Sequence, residues 1–121
     1  MRRDRDATGA ATAELAMVLP LLVAVAIGLV WLLTVGAAQV RAVDAARETA
    51  RALARGDDEA TALERGREVA PAGSRITVSR SGGEVRVTVT GRVDGAAGLF
   101  AHLPSPTLRA EAVAAEEEVM P

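Results

Sequence analysis

Glu14 is the residue in this sequence whose chemistry is least expected from its surroundings. It stands directly before an apolar run, Leu15 to Val40, that contains 26 residues and no charge. A lone carboxylate costs about 2.5–3.5 kcal/mol at the centre of a bilayer and less near its surface. The positive end of a helix macrodipole stabilises a carboxylate by about 0.3–1 kcal/mol. Glu14 is therefore suited to the start of an apolar helix, where a positive partner would stabilise it further.

Residue types that commonly carry catalysis or bind metals are sparse elsewhere. The chain has one histidine, His102, and no cysteine, so the sequence contains no cluster typical of a zinc or redox site. Its serines lack a nucleophile-elbow context, and Gly82-Gly83 lacks the lysine and following helix of a phosphate loop. We therefore predict a protein that is not an enzyme and has no catalytic residues, metal or cofactor. The net charge of -2 also disfavours nucleic-acid binding.

The apolar run is long enough to cross a membrane. As a helix it would extend roughly 39 Å at about 1.5 Å per residue, against a hydrocarbon thickness of about 30 Å. The rest of the chain is too poor in large apolar residues to enclose this run. We therefore predict a transmembrane helix and not a buried core helix. Arg2, Arg3 and Arg5 would also suit a secretory signal cut after residues 35–37, but the apolar region of such signals has about 7 to 15 residues.

Small residues within this run indicate a packing face. Ala24 and Gly28 form a small-xxx-small pair, and Gly36 adds a third small residue two turns later. We predict that another helix packs at Ala24, Gly28 and Gly36. Trp31 is expected to contact lipid or a packing neighbour.

The stretch GAATAELAMVLP, from Gly9 to Pro20, resembles the processing site of type IV prepilins. In that family a prepilin peptidase cuts after the glycine, and the glutamate is the fifth residue of the mature chain. Together with the apolar run and VDAARETARALARG, it resembles the TadE family, which comprises minor pilins or pseudopilins of the tight-adherence (Flp, type IVc) pilus system. The resemblance extends from Thr8 to about Gly56. Relatives often carry Phe or Tyr after the glutamate, where this chain has Leu15.

The implied cut has a physical consequence for Glu14. Cleavage after Gly9 would turn Ala10 into a free α-amine, which is positive below a reference pKa of about 7.7–8.0. Ala10 and Glu14 are then four residues apart on one helical face, or can meet across neighbouring subunits. Processing would therefore supply the positive partner that the carboxylate lacks.

The resemblance also implies a topology and a set of partners. Residues 1–9 would be a cytoplasmic leader that is removed, and residues 10–40 a transmembrane and assembly helix. The product would be a single-pass cell-membrane protein with a cytoplasmic N-terminus and an extracytoplasmic C-terminal domain, or a component of a surface pilus. Implied partners are the prepilin peptidase, other pilins or pseudopilins, inner-membrane pilus assembly proteins and the lipid bilayer. Arginines flank both ends of the span, so charge bias does not decide the orientation.

Beyond the membrane, residues 41–70 are predicted to be helical. Charged residues recur there at intervals of three and four, and they form a polar stripe in which i, i+3 pairs can join Arg41 to Asp44 and Glu48 to Arg51. The weaker opposite face consists of Val40, Val43, Ala46, Ala50 and Leu53. Gly56 is predicted to end the first helix, and Asp57 or Asp58 to cap a second helix that ends before Pro71.

Residues 71–121 are predicted to form a small β-rich domain. Gly82-Gly83 fits a two-residue hairpin turn, which places Val78 opposite Val87, Ile76 opposite Val89, and Thr77 opposite Thr88. Leu108 to Ala115 alternates as a third antiparallel strand. Residues 95–106 are predicted to be a loop whose Leu99, Phe100 and Leu103 pack under the sheet. Because a domain of this size has little core, we expect support from its own helix or from other subunits.

The predicted fold class is therefore α+β and membrane-anchored. A long N-terminal transmembrane helix continues into an amphipathic helix, followed by a short helix and an antiparallel sheet of about three strands. Two other functions are compatible with the sequence: an uncleaved, single-pass signal-anchored protein with an extracytoplasmic binding domain, and a small secreted binding protein cut by signal peptidase near Ala37 or Ala38. The position of the mature N-terminus distinguishes these two functions from the prepilin-like one.

Overall fold

The computed structural model describes residues 2–93 and 102–117. In chain order the elements are α1 (Arg2–Ala54), α2 (Glu59–Val69), β1 (Arg75–Ser81), β2 (Glu84–Arg92) and β3 (Thr107–Ala115). The three strands form one antiparallel sheet in the order β1-β2-β3. The predicted α+β architecture is thus confirmed. The chain divides into two compact units, Met1–Leu33 and Thr34–Pro121.

The first unit consists of the N-terminal part of α1, and its apolar side chains are mostly exposed. Leu32 and Leu33, for example, are 65% and 73% exposed, whereas Trp31 is buried. In the described part of the chain α1 is the one helix that is long and apolar enough to cross a membrane. Because exposed apolar surface is unfavourable in water, a bilayer is the environment that suits this helix.

In the second unit α1 ends in a Schellman motif at Gly56. The Gly56 N–H donates to the Leu53 carbonyl at 3.0 Å and the Asp57 N–H donates to the Ala52 carbonyl at 3.1 Å. Gly56 has a φ of 92°, which only glycine adopts without strain. Asp58 then caps α2 by accepting hydrogen bonds from the Thr61 backbone and hydroxyl. The predicted helix stop and the predicted cap at Asp58 are confirmed.

The hairpin has the predicted register. Ile76, Thr77 and Val78 lie opposite Val89, Thr88 and Val87, respectively. Gly82 and Gly83 have φ values of 59° and 78°, as a type I′ turn requires. The third strand is confirmed and pairs with β2. Leu103 is half-buried, while the predicted contacts of Leu99 and Phe100 lie outside the described residues.

One face of the sheet packs in a core with the C-terminal part of α1, so the expected support from the domain's own helix is confirmed. Val85, Val87 and Val89 are fully buried in this core with a set of small residues from the helices: Ala42, Ala45, Ala46, Ala50, Ala52 and Ala62. The buried face of α1 is broader than predicted, because both α2 and the sheet cover it. Val40, which the helical spacing predicts on that face, is 60% exposed.

The predicted i, i+3 ion pairs on α1 are not formed. Arg41, Asp44, Glu48 and Arg51 make no ion pair with one another within the described chain. Asp57 is paired instead, since its Oδ2 lies 3.7 Å from Arg55 Nη2 and 3.4 Å from Arg65 Nη1. The Arg65 contact joins the turn after α1 to α2, so it depends on tertiary structure, whereas the Arg55 contact is local to the turn.

Strand β3 runs beside the second-unit part of α1. At one end Gln39 Nε2 donates to the Arg109 carbonyl at 3.1 Å, and at the other the Glu117 N–H donates to the Ala54 carbonyl at 3.2 Å. The acceptor, Arg109, and the donor, Glu117, are odd-numbered residues. Their backbone groups point away from β2 and toward α1. The helix thus contacts β3 at both ends of its outer edge, and a cleft lined by residues of both elements, among them Ala50, Ala54 and Val113, lies along it.

Candidate functional site

The predicted processing frame, Gly9 to Glu14, lies on an exposed part of α1. A Cβ atom added to Gly9 would meet no atom within 4 Å. Packing within the chain therefore does not require glycine at this position. The structure leaves the peptide bond between Gly9 and Ala10 accessible to another protein.

The helix around this bond mixes alanines with three residues of lower helix propensity, Thr8, Gly9 and Thr12. Gly9 lowers helix stability by about 0.5–1 kcal/mol relative to alanine. The Thr8 hydroxyl donates to the Asp4 carbonyl at 2.8 Å, and the Thr12 hydroxyl donates to the Thr8 carbonyl at 2.9 Å. Such back-bonding by threonine slightly destabilises and bends helices. Helix propensity is therefore lower at Thr8, Gly9 and Thr12 than at the alanines beside them.

Glu14 is exposed and makes no ion pair with any described residue. Ala10 lies one turn before it, at the i, i+4 spacing that brings side chains together on a helix. In the uncut chain the Ala10 nitrogen is a peptide amide and carries no charge. The carboxylate thus lacks a positive partner unless the chain is cut or another molecule provides one.

The predicted packing residues Ala24, Gly28 and Gly36 are each on α1, and Ala24 and Gly36 are exposed. An added Cβ would meet nothing within 4 Å at Gly28, and the same is true at Gly36. Gly66 on α2 is different, because an added Cβ there would overlap Thr49 Oγ1. A single chain therefore uses Gly66 for its own packing but leaves Gly28 and Gly36 open to a neighbour.

The charged stripe of α1 forms one wall of a cleft of about 360 Å³ whose floor includes Val69. Its other lining residues are Asp44, Arg47, Glu48 and Arg51. Acidic and basic groups alternate here, so the cleft favours neither sign of charge. A smaller cleft brings Ser79 and Ser81 near Glu84 and Arg86, and its lining includes no histidine.

No group of three or more potential metal-binding side chains occurs in residues 2–93 and 102–117. His102 is exposed. Asp58 is an ionisable group outside the apolar run whose pKa is lowered from its ordinary value of 3.8. The main cause is a hydrogen bond from the Thr61 hydroxyl, followed by one from the Thr61 backbone. Because Asp58 caps α2, this shift reflects helix capping and not acid–base chemistry.

Comparison with known proteins identifies the N-terminal region. A family model described as TadE-like protein matches residues 9–51. Residues 9–51 are TadE-like. The predicted resemblance is confirmed, and the match begins at Gly9, includes Glu14 and the whole apolar run, and ends in the buried part of α1. No curated protein and no solved structure matches the chain.

The TadE-like match over residues 9–51 suggests an association with Tad pili. The apolar α1 helix, together with this family, indicates attachment to a membrane. The sheet and α2 lie beyond the matched residues.

Proposed function

We propose that this protein is a prepilin-like minor pilin or pseudopilin, cut after Gly9 by a prepilin peptidase, that takes part in assembling a Tad/Flp-type pilus or a related secretion apparatus. The observation that carries the proposal is that the TadE-like match starts at Gly9 and continues through Glu14 into the apolar helix. Its work is assembly, so the proposal includes no enzymatic activity. Its partners are the peptidase, other pilins or pseudopilins, membrane assembly proteins and the bilayer.

The proposed topology follows from where the cut is made. Prepilin peptidases act on the cytoplasmic side, so residues 1–9 are the cytoplasmic leader and residues 10–40 the transmembrane and assembly helix. Residues 41–70 and the β-rich part, 71–121, lie outside the cytoplasm. The exposed apolar surface of α1 supports the membrane position, and the open surface at Gly28 and Gly36 supports helix packing with a neighbour.

Cleavage changes the charge at the start of the helix. The leader holds three Arg and two Asp; removing them from 14 basic and 16 acidic residues leaves 11 and 14, a net charge of -3. The new Ala10 amine gives Glu14 a cation within the chain or on the adjacent subunit. Pairing lowers the cost of placing the carboxylate in the membrane, which is about 2.5–3.5 kcal/mol at the bilayer centre and less at the interface. Assembly is thereby favoured after processing.

The direct test is intact mass and N-terminal sequencing of the mature protein from its native host. A terminus at Ala10 is expected. A terminus at Met1 would instead indicate an uncleaved signal-anchored protein, and one at Ala38 or Gln39 a secreted protein released by signal peptidase. Either of these results would overturn the proposal.

Two substitutions separate processing from assembly. Gly9→Leu should block maturation, because the added side chain occupies the position next to the cut bond while leaving the fold of the single chain unchanged. Glu14→Ala should be cut but should enter the assembly poorly. Glu59→Ala, which removes an exposed carboxylate from α2, is the matched control and should behave as wild type. Normal assembly of the Glu14→Ala protein would refute the charge-pair mechanism.

A further inference from the structure

The outer face of the sheet, which points away from the helices, carries three arginines at one end. Arg75 on β1 and Arg109 on β3 both lie opposite Thr90, one on each side. Arg92 is two residues beyond Thr90 on β2 and therefore lies on the same face. Adjacent strands are about 4.7–4.9 Å apart, so the three backbone positions lie within roughly 10 Å of one another. All three side chains are exposed.

This arginine cluster, Arg75, Arg92 and Arg109, is poorly neutralised by the described residues. Arg109 Nη2 lies 3.8 Å from Glu111 Oε2, but the same carboxylate is 2.7 Å from Arg86 Nη1. Arg75 and Arg92 have no ion pair within residues 2–93 and 102–117. The other acidic residue on this face, Glu84, is at the opposite end of β2. The cluster is therefore a site of net positive charge.

The cluster is also level with the end of the apolar run. Gln39 Nε2 donates to the Arg109 carbonyl at 3.1 Å, which places Arg109 beside the last charge-free turn of α1. Arg92 lies opposite Thr107, which is two residues before Arg109 on β3. Arg92 is therefore displaced from Arg109 in the direction of the N-terminus of α1. An apolar run of roughly 39 Å exceeds the hydrocarbon thickness by about 9 Å, so its end falls in the headgroup layer.

We propose that the arginine cluster binds the headgroups of anionic lipids and holds the sheet against the membrane surface. The proposal rests on the membrane anchoring included in the proposed function, but not on cleavage after Gly9. Guanidinium groups match phosphate oxygens in a two-point geometry, and arginine stems can extend along apolar surface while the charge stays at the headgroup level. Each arginine that reaches an anionic surface favours docking about fivefold, which gives roughly a hundredfold for three.

The test uses the full chain, reconstituted into vesicles. Because the sequence has no cysteine, Thr107→Cys provides one labelling site beside the cluster, and Ser81→Cys provides one at the far end of the sheet. A fluorophore on each cysteine is quenched by nitroxide-headgroup phosphatidylcholine. Quenching at position 107 should rise when phosphatidylglycerol replaces zwitterionic lipid and fall at about 1 M salt, where the Debye length is about 3 Å. Quenching at position 81 should change little.

The triple variant Arg75→Gln, Arg92→Gln and Arg109→Gln should lose this dependence on anionic lipid. The corresponding lysine triple variant should retain much of it, which shows that the positions tolerate substitution. A matched control replaces the exposed arginines Arg47 and Arg51 on α1, and Arg55 in the turn after it, by glutamine and should behave as wild type. Equal loss in this control, or no effect of phosphatidylglycerol on the wild type, would overturn the proposal.

Flotation of the same samples with zwitterionic vesicles tests the anchoring separately. A chain that floats but shows no lipid-charge dependence at position 107 contradicts the cluster proposal alone. A chain that fails to float contradicts membrane anchoring, and with it both proposals.

Discussion

Gly66→Ala tests how tightly the two helices meet in the second unit. Gly66 is buried where α2 crosses α1, and its added Cβ would overlap Thr49 Oγ1 and lie 2.9 Å from Ile76 Cδ1. Thr49 is itself fully buried, with its hydroxyl donating to the Ala45 carbonyl at 2.8 Å. The threonine cannot move away without losing this hydrogen bond or shifting α1. The added methyl group must therefore force the helices apart.

Two effects of opposite sign determine the magnitude. Alanine stabilises a helix interior by about 0.5–1 kcal/mol relative to glycine, whereas overpacking a filled core costs about 1–3 kcal/mol. Overpacking should win, with a net loss on the order of 1 kcal/mol. For a domain of about 60–100 residues this corresponds to a Tm lower by about 4–8 °C. The measurement is thermal unfolding of the full chain in mild detergent, followed by far-UV circular dichroism.

Gly36→Ala is the control, because that glycine is also helical but an added Cβ meets nothing within 4 Å. Its Tm should stay the same or rise. Thr49→Ala removes the overlapping hydroxyl, so adding it to Gly66→Ala should restore part of the lost stability and give a coupling energy of about 1 kcal/mol. A higher Tm for Gly66→Ala alone would show that helix propensity dominates and would refute the packing argument.

Three further predictions concern the cap, the hairpin and the apolar helix. Asp58→Ala should lower Tm at neutral pH. Hydrogen bonds from Thr61 lower the pKa of Asp58 from 3.8 in the folded state. The stabilisation by this cap is therefore complete above pH 3.8 and is lost as the pH falls through the lower pKa of the folded state. The Tm difference between wild type and Asp58→Ala should shrink in strong acid. Replacing Gly82 and Gly83 by valine should cost about 1–2 kcal/mol per residue, measured by thermal unfolding, because both have positive φ, whereas Gly82→Asn should be tolerated. Gly28→Leu should insert in membranes normally but reduce co-purification with pilus components, with Val23→Leu as the control; equal recovery of both variants would contradict a packing role.

The hairpin could be predicted to the residue because two independent signals agree. Gly82-Gly83 fixes the loop length, and the alternation of Ile76 and Val78 with polar residues fixes the buried face. Gly56 and Asp58 likewise determine a helix end and a helix start through local backbone chemistry. These features depend on residues that are close together in the sequence, so they can be predicted from the sequence alone.

The buried face of α1 could not be predicted as well, since alanine gives little contrast between core and surface. Ala42, Ala45 and Ala52 are all buried, yet nothing in an alanine-rich helix separates them from exposed alanines such as Ala37. The Asp57–Arg65 ion pair depends on how α2 folds back after α1, and the Arg86–Glu111 pair joins two strands that are 25 residues apart in sequence. The arginine cluster needs the register of β3 as well as that of the hairpin, so it becomes visible only in the folded sheet.

The described glycines connect the fold to the proposed assembly. Some have positive φ, such as Gly56 and Gly82, and Gly66 sits where a methyl group would clash. Gly9, Gly28 and Gly36 have neither property, because they are helical and their added Cβ atoms would meet nothing. A helical glycine costs about 0.5–1 kcal/mol relative to alanine, and no contact within the described chain offsets this cost. The proposed function accounts for these glycines by placing a second molecule at each of the three positions: a peptidase at Gly9 and an adjacent helix at Gly28 and Gly36.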